Sequence, residues 1–201
     1  PGGQFGPGGT YGASQAGMVV RYRLAPGSAH RPMLYLRGSG PLAAPRGAEL
    51  AAGLALRPLA RVPVAAAAEL RAVQGSSGHV VLRPAAMLVS EFPPLVAPLG
   101  LRAEIYAAAG YVGGRDATPF VDAQLRADRP IAGVGQAELR AGGGIWGGAQ
   151  RGAARLDLGP SATLALPLGA GGGRLSADWR FRVMGDATPA SGPALTLSAG
   201  F

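Results

Sequence analysis

Arg174-Leu175-Ser176-Ala177-Asp178-Trp179-Arg180-Phe181-Arg182-Val183-Met184 is the stretch that decides the fold. Leu175, Ala177, Trp179, Phe181 and Val183 occupy every second place, and Arg174, Ser176, Asp178, Arg180 and Arg182 occupy the places between. Successive side chains of a β-strand point to opposite faces, so a period of two writes one apolar and one polar face. The segment before it repeats the pattern over residues 154–166: Leu156, Leu158, Ala162, Leu164 and Leu166 oppose Arg155, Asp157, Ser161 and Thr163. Gly169 to Gly173 lie between the two segments and make the turn of an antiparallel pair.

Worked outward, the same alternation gives eleven strands, near residues 16–24, 32–38, 48–57, 62–72, 79–89, 99–112, 119–127, 136–145, 154–166, 174–184 and 193–201. Pro84 falls inside the fifth, where a bulge or a weak ladder is expected. Residues 43–72 are Ala-rich enough for a helix, but Pro45, Pro58 and Pro63 interrupt them. The 34 glycines and 18 prolines therefore punctuate short apolar segments in a chain that is 48% hydrophobic with mean hydropathy +0.20.

Cysteine is absent, which excludes disulfides and thiolate metal sites. The net charge of +8 comes from 19 arginines with no lysine, and they are spread along the chain rather than gathered into a basic arm. Nucleic acid is not expected as a partner. No run of about 20 apolar residues offers a transmembrane helix.

Alternation fits a soluble sandwich or a membrane barrel equally, since one turns its apolar face inward and the other toward lipid. Three features favour lipid. All but two of the strands, 32–38 and 99–112, run nine to thirteen residues, matching the roughly 9–11 that cross a bilayer when tilted. Acids (Glu49, Glu69, Glu104, Asp122, Glu138, Asp157 and Asp178) interleave with arginine on the polar face of most strands, as a narrow polar lumen requires. The last segment, Pro193-Ala194-Leu195-Thr196-Leu197-Ser198-Ala199-Gly200-Phe201, ends on an aromatic residue. The expectation is an all-β antiparallel transmembrane barrel over residues 16–201. Bacterial single-chain barrels use even strand numbers. We therefore expect about twelve strands, with the additional one before Pro1 or in the Gly-rich segment 1–15. Ten is the alternative, if two weak strands around Pro84 merge.

That final segment resembles the C-terminal insertion signal of outer-membrane barrels, with Leu195, Leu197 and Phe201 in its alternate apolar places and Ala199 smaller than usual. From Tyr11-Gly12-Ala13-Ser14-Gln15-Ala16-Gly17 through Trp146-Gly147-Gly148-Ala149-Gln150-Arg151-Gly152 to the end, the chain resembles uncharacterised outer-membrane β-barrel proteins of sphingomonad-type alphaproteobacteria. The resemblance implies the Gram-negative outer membrane as location and the barrel-insertion machinery as an assembly partner, and carries no activity.

No catalytic or cofactor site is expected. His79 follows Ser76 and Ser77 without an acid nearby in sequence, and His30 is distant. Gly142-Gly143-Gly144-Ile145-Trp146-Gly147-Gly148 lacks the Lys and Ser/Thr of a phosphate loop and reads as a strand end with an interfacial Trp. Trp179, Phe181, Tyr22, Tyr111 and Phe201 read as aromatic girdles. A structural lumen network is expected from Glu69, Arg71, Arg102, Glu104, Asp122, Arg126, Glu138, Arg140, Arg155, Asp157, Asp178, Arg180 and Arg182. The Arg-rich face of residues 174–182 also suits an anion or lipopolysaccharide phosphate. The function expected is a non-enzymatic structural or accessory subunit of an outer-membrane assembly, touching lipid and other outer-membrane proteins. The alternative is a narrow anion-selective pore, or the membrane part of an exopolysaccharide-secretion apparatus.

Overall fold

The computed structural model describes residues 15–41, 48–74, 79–114, 117–168, 171–187 and 191–200. Twelve strands form one antiparallel sheet: β1 Gln15–Arg23, β2 Met33–Pro41, β3 Glu49–Leu56, β4 Val64–Gln74, β5 Val80–Ser90, β6 Leu95–Val96, β7 Arg102–Val112, β8 Thr118–Val134, β9 Ala137–Gln150, β10 Ala153–Leu168, β11 Gly171–Gly185 and β12 Gly192–Gly200. The all-β antiparallel class is the one expected, and the total of twelve matches the even count, although the strand added to the eleven read from alternation is not at the N-terminus. Ala-rich residues 49–56 and 64–74 are strands, not helix.

Each long strand pairs with its neighbour in sequence, from β1 to β12, and the two-residue β6 sits off this path against β7. The twelfth strand of the sheet is thus β6, within the connection after β5, while residues 1–14 lie outside those described. β4 and β5 stay separate strands, so the ten-strand count does not apply. Ten antiparallel steps leave β1 and β12 running the same way, and no ladder joins them among the described residues.

Several expected boundaries shift for local reasons. β7 begins at Arg102 rather than Leu99, because Leu99 and Gly100 take φ of 64° and 70° in a short 3-10 turn. Pro84 causes no bulge against β4, whose register runs unbroken from Val64↔Ser90 to Gln74↔Val80. The Pro84 carbonyl accepts from Gly113 N on the β7 side, and the β5–β7 ladder stops at Ala85. The ring's missing donor therefore falls where that ladder ends. β8 continues past Ala127 to Val134 by absorbing Pro130 at a register shift between Pro130 and Ala132, a bulge of the kind that tolerates proline in a strand.

The sheet curls toward its polar face. Glu104 on β7 and Arg174 on β11 are four strand steps apart, about 19 Å in a flat sheet, yet their side chains meet at 2.8 Å. Arg126 on β8 reaches Asp178 on β11, and Arg71 on β4 lies over the ring of Phe120 on β8 at 5.6 Å. The interior so formed is charged. Among the described residues no Leu, Ile, Phe or Met is fully buried, whereas Arg37, Glu69, Arg71, Arg126, Asp128, Arg140, Arg155, Asp157 and Asp178 are. The buried apolar residues are mostly small: Ala51, Ala55, Ala65, Ala67, Ala85 and Ala108 beside Tyr35, Val89, Val112 and Trp146. Alanine on the inner face leaves room for long arginines to lie across the wall.

Candidate functional site

The inner-face charges gather into several clusters rather than one network. The first spans β2 to β4. The Glu69 carboxylate, 1% exposed, accepts from Tyr35 Oη at 2.8 Å, from Arg37 Nε at 3.1 Å and Nη2 at 2.7 Å, and from Arg71 Nε at 2.5 Å. Arg37 also meets Glu49 at 2.5 Å. Tyr35, Gly53 and Glu69 are register partners across three strands. A Cβ on Gly53 would lie 2.7 Å from both the Tyr35 ring and Glu69 Cβ, so glycine lets the phenol cross β3.

A second cluster spans β8 to β11. Arg126 pairs in register with Gly144 on β9. Its Nη2 donates to Ser161 Oγ at 2.5 Å and to Asp178 Oδ1 at 2.8 Å. The Thr163 and Ser176 hydroxyls, 3.1 Å apart, continue this polar wall. Arg180 lies 3.6 Å from the other oxygen of Asp178, and its guanidinium stacks 4.7 Å above the Trp146 ring, a cation–π contact. Asp122 shares this inner face in the field of Arg180. Arg155 and Asp157, two residues apart on β10, pair at 2.6 Å.

The third cluster lies toward the end of the sheet that carries residues 24–32, 57–63 and 91–101. Arg140 donates to Asp128 at 2.5 Å, to Glu138 at 2.8 Å and to the Gly100 carbonyl at 3.0 Å. Glu104 holds Arg102 at 2.7 Å and Arg174 at 2.8 Å. Arg57 pairs with Glu91 at 2.5 Å, and His30 Nδ1 lies 2.8 Å from the Arg57 carbonyl. His30 thus fastens a connection to the rim.

The sequence-derived set lands on the inner face, with differences in detail. Arg182 is not joined to Asp178; its Nη1 donates to the Ala187 carbonyl at the opposite end. Trp146 corrects an expectation: it is neither interfacial nor at a strand end. It sits mid-way along β9, 5% exposed, because β9 runs to Gln150 and Gly144 leaves space for the indole to fold back. Asp128, Glu91 and Tyr35 were not assigned to the network. Asp128 has the same parity as Asp122 and Arg126, a signal masked by Pro130 beyond it.

Tyr22, Tyr111, Trp179 and Phe181 are exposed on the outer face, as are Leu195 at 70% and Leu197 at 76%. Phe201, Ser76 and Ser77 lie outside the described residues, and among those described no three His, Cys, Asp or Glu side chains gather as a metal site. Comparison with protein-family models, with curated proteins and with solved structures gives no match to this chain.

Proposed function

We propose that this chain is a membrane-spanning β-barrel of the bacterial outer membrane, a structural or accessory subunit whose interior is closed by arginine–carboxylate pairs. One observation carries the reading: a single sheet buries its charges and leaves its leucines bare. Leu34, Leu36, Leu50, Leu54, Leu70, Leu88, Leu125, Leu158, Leu195 and Leu197 are all exposed, and among the described residues no second layer covers them. Soluble monomers seldom expose a contiguous apolar patch above a few hundred Å². Lipid is the solvent that matches such a wall, and a polar interior is what a transmembrane barrel keeps.

The scaffold reading follows from how the interior is filled. Arginine forks pair with carboxylates across the curled sheet, and such pairs bridge a narrow lumen. Planar-bilayer recording from the purified monomer tests this. No stable porin-like conductance is expected; a steady conductance would replace the scaffold by a pore. That second reading has its own support, since Arg126 Nε and Arg180 Nε are buried with no hydrogen-bond partner among the described residues and would favour anions over cations. Lipopolysaccharide, the insertion machinery and neighbouring outer-membrane proteins are the partners that fit this placement.

A further inference from the structure

The wall has a notch between β5 and β7. The β5–β7 ladder joins Ala85–Val89 to Ala108–Val112, and β6 covers only Arg102 and Ala103. Residues 104–107 between them have a full ladder to β8, whereas the ladder to β5 stops at Ala108 and Ala107 N meets Ser90 Oγ at 2.8 Å instead of backbone. Backbone left open toward hydrocarbon is costly, so a notch in a membrane wall needs polar matter in it.

A cavity of about 460 Å³ opens there, within the range of small-molecule sites. Its lining passes through the wall. Glu104, Tyr106, Gln124 and Arg174 lie on the inner side, Ile105 on the outer, and Phe92, Pro93 and Pro94 over the gap. Four arginines (Arg31, Arg57, Arg102 and Arg174) face two acids, Glu91 and Glu104. Arg174 and Arg57 are engaged with those acids. Arg102 shares Glu104 with Arg174 through Nη2 at 2.7 Å, and its buried Nε has no hydrogen-bond partner among the described residues. Arg31 has no ion pair among the described residues. It is held at a φ of 48°, a left-handed conformation unusual for a side-chain-bearing residue. The connection that carries it is pinned by Arg57 N to the His30 carbonyl at 2.7 Å. Strained residues persist where the surroundings over-determine them, and they cluster at ligand sites.

We propose that this cavity binds an amphipathic anion: a phosphate or carboxylate head held by Arg31 and Arg102, with an acyl chain leaving through the notch past Phe92 and Ile105. The surplus cations supply the head's forked hydrogen bonds, and the prolines, Phe92 and Ile105 supply the chain's path. The proposal rests on the outer face meeting acyl chains, but head and chain recognition are measurable without insertion.

Calorimetric titration of the full chain in a non-ionic detergent tests it, with lauroyl lysophosphatidic acid as the probe. Glycerol 3-phosphate, inorganic phosphate and lauroyl lysophosphatidylcholine are the comparison ligands. Lysophosphatidic acid is expected to bind at least about tenfold more tightly than any of the three. Arg31→Gln and Arg102→Gln are each expected to weaken it about tenfold, the scale of one lost charged hydrogen bond. Both variants leave Glu104 paired with Arg174, so folding is retained. Phe92→Ala is expected to weaken lysophosphatidic acid and leave glycerol 3-phosphate unchanged. Equal binding of glycerol 3-phosphate or inorganic phosphate would reduce the cavity to a free-anion site and overturn the proposal. Equal binding of lysophosphatidylcholine, or indifference to both arginine variants, would also overturn it. Because no bilayer is used, either failure leaves the membrane reading to its own tests.

Discussion

Arg174 Nη1 on β11 lies 2.8 Å from both carboxylate oxygens of Glu104 on β7, although β8, β9 and β10 stand between them in the sheet. Only a curled sheet brings them together. A double-mutant cycle with Glu104→Gln and Arg174→Gln is expected to give a coupling of about 0.5–3 kcal/mol, as residues in direct contact do. Urea-unfolding midpoints in phospholipid vesicles measure it. Zero coupling would mean the two strands do not face each other.

Glu69 is the most heavily shared acid, serving Tyr35, Arg37 and Arg71 at once. Glu69→Ala leaves buried guanidinium groups without a counter-charge and is expected to cost about 3–5 kcal/mol. Tyr35→Phe removes one hydrogen bond to a charged group and is expected to cost less, about 1.5–3 kcal/mol. The order of the two unfolding midpoints is the check; Tyr35→Phe proving the more damaging would refute the cluster's arrangement.

Gly144 and Trp146 are neighbours on one face of β9, and a Cβ on Gly144 would stand 2.5 Å from the indole. Gly144→Ala is expected to destabilise by about 1–3 kcal/mol through overpacking. The penalty should shrink in a Trp146→Ala background, where the obstructing ring is gone. An unchanged penalty would place its cause in the β9 backbone instead.

Leu164 pairs with Leu175 on β11 and Leu139 on β9, three leucines side by side on the outer face. Leu164→Arg is expected to destabilise in a bilayer by up to about 2–4 kcal/mol, the depth-dependent penalty of a cation on the lipid-facing side. Comparison of unfolding in vesicles and in detergent isolates the lipid contribution. A penalty of the same size in both would point to protein packing rather than lipid.

Period-two alternation made strands such as residues 174–184 legible and sorted Glu69, Arg126 and Asp178 from Leu164 and Phe181. What it cannot carry is the interior's three-dimensional pairing. That Tyr35 crosses β3 to Glu69, or that Arg126 crosses β9 and β10 to Asp178, depends on register and curl, which no single strand encodes. Trp146 shares the parity of Glu138 and Arg140 and was therefore readable as an inner residue. The glycines around it look like a turn, and ending the strand at Ile145 hid it. β6 is too short for any period to register, and Asp128 was lost to the turn signal of Pro130, which the fold absorbs as a bulge.

The sheet buries its charges and exposes its leucines, and the chain's two tryptophans stand on opposite faces of it. Trp179 is 47% exposed on the outer face, while Trp146 is 5% exposed beneath Arg180. Fluorescence quenching in vesicles of acyl-chain-brominated phospholipid reads the difference, using Trp146→Phe to isolate Trp179 and Trp179→Phe to isolate Trp146. Strong quenching of Trp179 and little of Trp146 are expected if the outer face meets lipid. Quenching of Trp146 equal to or stronger than that of Trp179, or no quenching of Trp179 at all, would contradict it.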